Sequence, residues 1–297
     1  MKIVFKTYAI KTKYWRPGEN YLQEIIKSVA GKISDSDFLV ISEKAISIAN
    51  GNIVDEGKVQ PSLNAKLIAK LWMPIIWGYV LGLICHLRPK LIQQLRKYPQ
   101  DAGSRHKQVA LQYAGLLQAL MFGSEGGIDG TNLPYSYVCL PLKNAQEIAE
   151  KIHRKIFETL GKRVCVIIVD TDKTYSFRNF HFTPRPNSIK GIHPCGGFIT
   201  YVVGRMLKLR RRATPLAVAG CKISAENALT IAELANRARG FGAGRTVWEM
   251  AERFKVGVAE VSWEMLETIK HKPIVIVHAT SPAKSTQNCK LHRHENR

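Results

Sequence analysis

Two aspartates and a threonine follow directly on the most apolar run of the chain. Residues 164–169 read VCVIIV, which predicts a strand buried on both faces, and Asp170, Thr171 and Asp172 come next. A carboxylate just beyond the carboxyl end of such a strand opens onto the crevice where α/β proteins usually bind ligands. Carboxylate and hydroxyl oxygens are ligands of hard cations such as Mg²⁺ or Mn²⁺. We therefore predict a metal site that includes Asp170 and Thr171.

A glycine-rich loop upstream carries a second set of oxygen ligands. The segment GSEGGIDGTNLP places Glu125, Asp129 and Asn132 among four glycines. Because glycine has no β-carbon, this backbone can approach a ligand closely. Each acidic group by itself is explained equally well as a turn residue or a cap. Two such groups, each beside a β-element in a strongly basic protein, favour one shared metal site with Asp129 as a further ligand.

A second glycine-rich loop has the composition of a phosphate-binding turn. In ARGFGAGRT, the backbone N–H groups around Gly240, Gly242 and Gly244 could hold phosphate oxygens, and Arg239 and Arg245 would add guanidinium contacts. The glycine spacing is not that of a P-loop, and no Gly-Lys-Ser/Thr follows. A tight turn between two helices explains the same residues equally well.

The chain carries a large excess of positive charge. Its 297 residues include 44 Lys+Arg and 23 Asp+Glu, which gives a formal net charge of +21. Such a charge favours anionic partners: nucleic acid, an acidic membrane or phosphorylated small molecules. Residues 151–220 hold 14 Lys+Arg and three acids, an excess of +11, and their densest cluster is Arg205, Lys208, Arg210, Arg211 and Arg212.

Two interpretations of this basic cluster stay open. It is either a solvated helix face or a set of guanidinium groups that recognise phosphate. Few aromatic residues lie between its basic residues, which disfavours an extended platform for single-stranded nucleic acid.

The six cysteines show neither a CxxC pair nor metal-finger spacing. Several lie in apolar runs, where cysteine behaves as a small hydrophobic residue. We interpret all six as reduced thiols of a cytoplasmic protein, and the N-terminus lacks the apolar stretch of a signal peptide. The histidines form no ligand pair at helical spacing, and we interpret them as ordinary, with a candidate role only for His181 and His193 in the basic loop.

The hydrophobic pattern predicts an α+β fold with a mixed sheet and packed helices. The clearest helix has Ile148, Ile152, Ile156 and Leu160 four residues apart and ends at Gly161. Strands are predicted at 2–10, 37–42, 135–142, 162–170 and 273–278, and a helical segment at about 61–121, with a polar connector at 99–107. We expect one domain over 1–278 and a disordered basic tail over 279–297.

One segment tests the expectation of a protein without a transmembrane span. Residues 71–87 read LWMPIIWGYVLGLICHL and carry no charge. The segment is shorter than the roughly 20 residues that a membrane helix needs, and it contains Pro74, Gly78 and Gly82. A buried helical hairpin or core helix is the favoured interpretation, and a contact with a membrane surface is the alternative.

Three motifs together resemble the coenzyme F420 gamma-glutamyl ligase family. They are DFLVISEKAISIANG near the start, GGIDGTN at 126–132 and LGKRVCVIIVDTD at 160–172. The last two are the specific ones. The likeness runs over residues 1–175.

This resemblance implies a GTP-dependent ligase that joins L-glutamate by an amide bond to a carboxylate of a phosphorylated deazaflavin coenzyme, through an acyl phosphate. It implies Asp129, Asp170 and Thr171 as metal ligands and Asn132 at the nucleotide. The cofactors expected from it are GTP, Mg²⁺ or Mn²⁺, and K⁺ as a further candidate. The family's fold and its intertwined homodimer are expected too, with a nucleotide and an anionic small molecule as partners.

Two positions depart from the family pattern. Ile48 stands where the family has a lysine, and we expect Lys44 to substitute for it in the nucleotide site. The later loop, Gly240 to Arg245, has arginines where the family's glycine-rich loop has a carboxylate. Two alternatives to the ligase are therefore kept: a divergent relative that uses the same site on another carboxylate, and a basic nucleic-acid-binding protein.

Overall fold

The structure is a computed structural model and describes residues 4–123 and 125–280 of the chain. Its strands and helices form a mixed sheet with packed helices, which confirms the predicted α+β class. The strands are β1 (Val4–Thr12), β2 (Phe38–Ser42), β3 (Ile53–Asp55), β4 (Tyr137–Cys139), β5 (Cys165–Phe177), β6 (Phe180–Thr183), β7 (His193–Pro194), β8 (Arg210–Ala219) and β9 (His271–Thr280). The helices are α1 (Tyr21–Val29), α2 (Glu43–Ala49), α3 (Leu63–Ile84), α4 (Pro89–Arg96), α5 (Gln100–Tyr113), α6 (Leu116–Ala119), α7 (Ala145–Leu160), α8 (Phe198–Met206), α9 (Ala225–Arg239), α10 (Val247–Phe254) and α11 (Trp263–Glu267).

The main sheet has two parallel pairs, β2 with β5 at its centre and the short β6 with β7 at one edge. β2 runs parallel to β5, while β9 is antiparallel to both β1 and β2, and β8 is antiparallel to β5. β6 and β7 continue the sheet beyond the end of β2, and β3 and β4 form a separate two-stranded sheet. Because β2 and β5 are parallel, the residues that follow Ser42 in β2 and Val169 in β5 lie at the same edge of the paired segment, where ligands of α/β proteins commonly bind.

Helices cover both faces of this sheet. On one face α7 buries Ile148, Ile152 and Ile156 against the sheet together with α1, as the predicted four-residue spacing indicated. The helix ends at Gly161, which adopts a left-handed conformation. On the other face α9 buries Ile231 and neighbouring alanines. The β-branched residues of β2, β5 and β9 are therefore enclosed on both sides, which explains their continuous apolar runs.

The predicted helical segment is present as four helices, which form a third apolar cluster together with residues of α8. The predicted polar connector at 99–107 is wrong, because residues 100–107 form the first half of α5. Only Lys97, Tyr98 and Pro99 separate α5 from α4. Only Gln100, Asp101 and Ala102 are exposed there, while the polar groups of the buried Ser104 and Lys107 are hydrogen-bonded inside the protein. A helix needs only one apolar stripe, so polarity alone did not identify a loop.

The end of the predicted strand at Asp170 is also wrong, because β5 continues to Phe177. The apolar pattern stops at Val169, where β2 ends and no longer covers β5. The sequence pattern did not predict β8, which lies in the basic stretch. This strand pairs with β5 over most of the length of β8. Strand β9 continues through Ala279 and Thr280, which the sequence pattern assigned to the tail, and residues 281–297 lie outside the described part.

Two of the cysteines contradict the expectation of six reduced thiols. Cys165 at the start of β5 and Cys221 after β8 form a disulfide bond. The pairing of β5 with β8 brings these residues to the same end of two adjacent strands, which spacing along the chain could not indicate. Cys85, Cys139 and Cys195 are free, and Cys289 lies outside the described residues.

The apolar segment at 71–87 belongs to a single long helix and is not a hairpin. In α3 the middle, residues 68–81, is wound as a π-helix around Pro74. By length and composition α3 is the one helix in the described part that could cross a membrane, but a third of its most apolar window is buried within the protein. Trp77 and Met73 are fully buried, so α3 packs on the domain with one side and exposes the other.

Candidate functional site

A cavity of about 770 Å³ opens at the edge where β2 ends, beside residues 170–173 of β5. It brings together all nine residues that were predicted to bind metal or nucleotide. They are Lys44, Asp129, Asn132, Asp170, Thr171, Gly240, Gly242, Gly244 and Arg245. The departing position Ile48 lines the same cavity.

A bulge in β5 presents the Asp170 segment to this cavity. Asp170 pairs with Thr214 and Lys173 with Ala213, so Thr171 and Asp172 are inserted between two successive rungs of the ladder. Such a bulge bends a strand and redirects its side chains, and bulges are common beside active sites. The Asp170 Oδ1 atom accepts a hydrogen bond from the Thr171 backbone N–H at 2.6 Å. The carboxylate and the threonine hydroxyl are thus held side by side.

Lys44 joins the first glycine-rich loop to the sheet edge. It lies in α2, directly after β2, and its ammonium group forms an ion pair with Asp129. The same ammonium donates to the Thr131 hydroxyl oxygen at 2.8 Å, and Asp129 Oδ1 accepts from the Thr131 N–H at 2.7 Å. The loop is therefore fixed by the one lysine that sequence analysis placed in the nucleotide site.

A buried arginine that the sequence did not reveal lies behind Asp170. The Arg185 guanidinium is 3.0 Å from Asp170 Oδ2 and donates to Glu43 Oε1 at 2.8 Å. Burial by itself would raise the pKa of Asp170, but the charges of Arg185 and Lys44 outweigh it and lower that pKa. Burial raises the pKa of Glu43 to about 7, although Arg185 opposes this. Arg185 lies in an irregular segment, TPRP, where no periodicity distinguishes it.

The second glycine-rich loop forms the predicted turn between two helices, α9 and α10, and it also lines the cavity. Asn132 fastens it, since its Oδ1 accepts the Ala243 N–H at 2.6 Å. The N–H groups of Gly244 and Arg245 are also used, by the Phe241 carbonyl and the Glu249 carboxylate. In the described part of the chain, the N–H groups of Phe241 and Gly242 have no protein acceptor. Two donors are therefore left for a ligand.

Positive charge lines the cavity beside Asp170. Arg239 ends α9 at the cavity wall, and burial lowers its pKa while the nearby Asp170 carboxylate opposes that change. Burial lowers the pKa of His271 to about 4, assisted by the charge of Arg239. His271 was interpreted as ordinary, yet it lines the cavity as a neutral imidazole.

The helical segment forms the other end of the cavity. His106 of α5 lies 2.6 Å from Glu56 and 3.0 Å from Glu125, and Lys107 forms an ion pair with Glu125. Burial would lower the pKa of His106, but the two carboxylates raise it to about 10. The two cations therefore hold Glu125 at this end of the cavity.

The basic cluster of 205–212 lies outside the cavity wall, so its phosphate-site interpretation is wrong for this cavity. Arg212 is buried and forms an ion pair with Glu226 at 2.7 Å, and Arg205 donates to the carbonyl oxygen of Cys85. Of the two candidate histidines, His181 is buried against Ser176, and His193 stacks on Phe180; neither lines the cavity.

The cavity has the oxygen chemistry of a divalent cation site. Asp170 Oδ2 is buried with the Arg185 guanidinium 3.0 Å away, and Asp129 forms an ion pair with Lys44. The described residues contain no cluster of three His, Cys, Asp or Glu side chains that could enclose an ion. The residues present therefore fit a cation that keeps waters and substrate oxygens, as Mg²⁺ does.

Comparisons with known proteins agree with this geometry. The family model F420-0:Gamma-glutamyl ligase matches residues 9–225. An uncharacterized protein of Methanocaldococcus jannaschii is 37% identical over 284 residues, which cover 92% of this chain and 96% of that protein. The coenzyme F420:L-glutamate ligase of Archaeoglobus fulgidus is 31% identical over 154 residues, 51% of this chain and 53% of that protein. The enzyme of the same name from M. jannaschii is 30% identical over 141 residues, 47% of this chain and 49% of that protein.

Proposed function

Since the chain belongs to the F420-0:gamma-glutamyl ligase family, we propose that it uses GTP to join L-glutamate by an amide bond to a carboxylate of a phosphorylated deazaflavin coenzyme. The observation that carries the proposal is that one cavity gathers all nine residues predicted to bind metal or nucleotide. A ligase of this kind must hold three anionic reactants together, and a cavity with arginines at the carboxylate end suits that task.

The nucleotide phosphates bind between the second glycine-rich loop and Lys44. The free N–H groups of Phe241 and Gly242 and the guanidinium groups of Arg239 and Arg245 supply the donors. Arg245 stacks on Phe241, with its guanidinium carbon 4.4 Å from the ring centroid, and this contact limits the positions that the guanidinium can take.

Asp129, Asp170 and Thr171 would hold Mg²⁺ or Mn²⁺. When bound, the cation neutralises phosphate charge and the charge that develops during transfer. Arg185 fixes Asp170 from the protein side, and the bulge in β5 aims Thr171 into the cavity. Lys44, which is paired with Asp129 in this structure, would supply a further positive charge for the phosphate oxygens.

The reaction then has two steps. The γ-phosphoryl group of GTP passes to a carboxylate oxygen of the acceptor, so the bond to GDP breaks and an acyl phosphate forms. The amine nitrogen of L-glutamate attacks the acyl carbon and loses a proton, and orthophosphate leaves. Arg239, which lines the cavity, supplies positive charge for the transferred phosphoryl group.

A direct assay tests this proposal. The full chain is incubated with GTP, Mn²⁺, L-glutamate and the phosphorylated deazaflavin, and mass spectrometry measures the addition of a glutamyl unit. Asp129→Asn should lower the rate by about 10²–10³, the loss typical of a group that stabilises a developing charge. The control is Asp101→Asn, an exposed carboxylate on α5 outside the cavity.

Binding separates the site assignment from the choice of acceptor. GTP with Mn²⁺ should raise the melting temperature of the wild type by mass action, and the shift should vanish in Asp129→Asn and Asp170→Asn. Normal nucleotide binding by calorimetry in both variants would overturn the site. Binding without glutamyl transfer to the deazaflavin would favour a relative that acts on another carboxylate.

The proposal also includes a cytoplasmic homodimer and K⁺ as an added cofactor. Sedimentation velocity tests the homodimer. The dependence of the glutamyl-transfer rate on K⁺ at constant ionic strength tests the K⁺ requirement. Nucleic-acid binding stays the alternative from another class: Arg205 and Arg212 of the basic cluster make internal contacts, while Lys208 and Arg211 are exposed.

A further inference from the structure

The long helix α3 exposes an unbroken apolar face. Leu71, Ile75, Tyr79 and Leu83 recur every four residues, and each is 47–57% exposed. In the π-wound part of α3 such residues share one side of the helix. Isolated exposed apolar residues are ordinary in soluble proteins, but a continuous row along a 22-residue helix marks an interaction surface.

Helix α8 widens this face. It packs beside α3 with Phe198 against Trp72 and Tyr201 against Trp77. Beyond these contacts α8 exposes Ile199 and Met206, and Leu207 follows at 58% exposure. The opposite sides of the two helices face inward, where Met73 and Tyr201 line the cavity. Together the exposed apolar residues of the two helices form a surface that we call the apolar platform: Leu71, Ile75, Tyr79, Leu83, Ile199, Met206 and Leu207.

The platform is built from segments without acidic residues. Residues 57–100 contain no Asp or Glu and seven Lys+Arg, and residues 173–225 contain none and ten Lys+Arg. Lys66, Lys70 and Lys208 are exposed at its borders and form no ion pair in the described part of the chain. The surface therefore combines an apolar centre with an uncompensated positive rim.

We propose that the apolar platform docks on the surface of a bilayer that contains anionic phospholipids. An interfacial helix of this kind lies in the membrane plane, with its apolar side at the acyl boundary and its cations near the headgroups. The packing of the inner side of α3 on the domain, with Trp77 fully buried, is compatible with lying on the membrane and not with crossing it.

The positive charge around the apolar platform argues against two other candidates for covering it, which are a second copy of the chain and residues 281–297. A second copy of the chain seated on the same face would bring two positive rims together, and like charges across an interface cost several kcal/mol. Residues 281–297 are polar and basic, with Lys284, Lys290, Arg293 and Arg297 against a single Glu295, so they match neither the apolar centre nor the rim. Anionic lipid complements both parts of the surface. The inference does not depend on the ligase proposal.

Vesicle co-sedimentation of the full chain tests the inference. The wild type should partition onto vesicles of phosphatidylcholine mixed with phosphatidylglycerol and far less onto phosphatidylcholine alone. Leu71→Gln with Ile75→Gln should lower the partition coefficient about tenfold per residue, because each side chain leaves the acyl region. Lys66→Gln with Lys70→Gln should lower it about fivefold per lysine, the usual contribution of one cation near an anionic surface.

Matched controls lie on α1 and α7, which belong to a different apolar cluster from α3 and α8. Phe157→Gln removes an exposed ring of α7, and Lys27→Gln with Lys151→Gln removes two exposed cations. These variants should bind vesicles as the wild type does. Absence of binding, or equal losses in platform and control variants, would overturn the inference.

Two further results would also overturn it. One is a dimer in sedimentation velocity that Leu71→Gln with Ile75→Gln dissociates, without vesicle binding by the wild type. The other is vesicle binding that appears only after residues 281–297 are removed. The nucleotide-induced melting shift is measured on the same variants, and because none of the substituted residues lines the cavity, it reports separately on the proposed function.

Discussion

Gly127 lies where its missing side chain makes room for Arg185. A β-carbon at this position would lie 1.5 Å from the Arg185 Nη1 atom, and the residue has a φ of +102°, which side chains rarely adopt. We expect Gly127→Ala to lower the free energy of unfolding by about 3 kcal/mol or more, since overpacking and backbone strain add. Urea unfolding measures this.

The control for Gly127 is Gly161→Ala, which has φ +65° but no atom within 4 Å of the added carbon. It should cost only about 1 kcal/mol, the price of the backbone conformation. Equal effects of the two substitutions would show that Arg185 moves aside freely and does not hold Asp170.

The histidine between two glutamates gives the protein a pH-dependent stability. Because the pKa of His106 rises from 6.5 to about 10 on folding, its contribution is complete below pH 6.5 and is lost as the pH rises toward 10. The pKa of Glu125 falls to about 2, because Lys107 and His106 outweigh its burial, so its contribution is lost as the pH falls from 4.5 toward 2.

We expect His106→Gln to lower the free energy of unfolding by about 2 kcal/mol near pH 6, because charged hydrogen bonds are lost. The same substitution should flatten the fall in stability between pH 6.5 and 10. Denaturant titrations across that range measure the slope. His153→Gln, on α7, is the control, and a slope unchanged by His106→Gln would contradict the ion-pair assignment.

How far the sequence predicts this site differs from residue to residue. Asp129, Asn132, Asp170 and Thr171 stand in short motifs whose residue types already indicate ligand chemistry. Arg185 and His106 give no such signal, because their roles arise from contacts with Glu43 and Glu125, far away in the chain. Burial beside a charge is a tertiary property, and no local pattern encodes it.

At the scale of elements, the disulfide ties the start of β5 to the segment before α9. It closes a loop with a sequence separation of 56 residues, and the chain-entropy account gives such a loop a stabilisation of about 4 kcal/mol. We expect Cys221→Ala or a reductant to lower the free energy of unfolding by up to about that amount. Cys195→Ala, which removes a free exposed thiol, is the control.

A thiol titration of the unfolded chain makes the disulfide test decisive. The oxidised protein should react at two fewer thiols than the reduced protein. Unfolding curves that coincide with and without reductant would show that the paired strands hold Cys165 and Cys221 without help from the bond.

An element with one regular hydrophobic period is predicted well from the sequence. An element whose sequence begins with charged residues and continues with apolar ones is not. α7 keeps its four-residue spacing because one face packs on the sheet throughout. β8 was missed since it begins as Arg210, Arg211 and Arg212, which suggest a charged surface. The structure resolves this conflict by burying Arg212 with Glu226, so a strand can begin in a basic cluster.

At the scale of the whole molecule, the net charge of +21 should itself affect stability. Self-repulsion destabilises a compact chain, and added salt screens it as the Debye length falls from about 30 Å at 0.01 M to about 8 Å at 0.15 M. We expect the melting temperature to rise by a few degrees over this range, measured by calorimetry. NaCl and KCl should act alike; a rise with KCl alone would indicate a specific K⁺ site, and a fall would mean that local ion pairs dominate.

The placement of β9 between β1 and β2 has a consequence for biosynthesis. Val4 pairs with Thr280, so the first described strand finds its sheet neighbour only in the last. Until the ribosome has passed residue 280, β1 and one edge of β2 have no partner, and open strand edges are where nascent chains associate wrongly. The sheet therefore closes late in translation, and a chain that stops before residue 271 lacks the strand that joins β1 to the rest of the sheet.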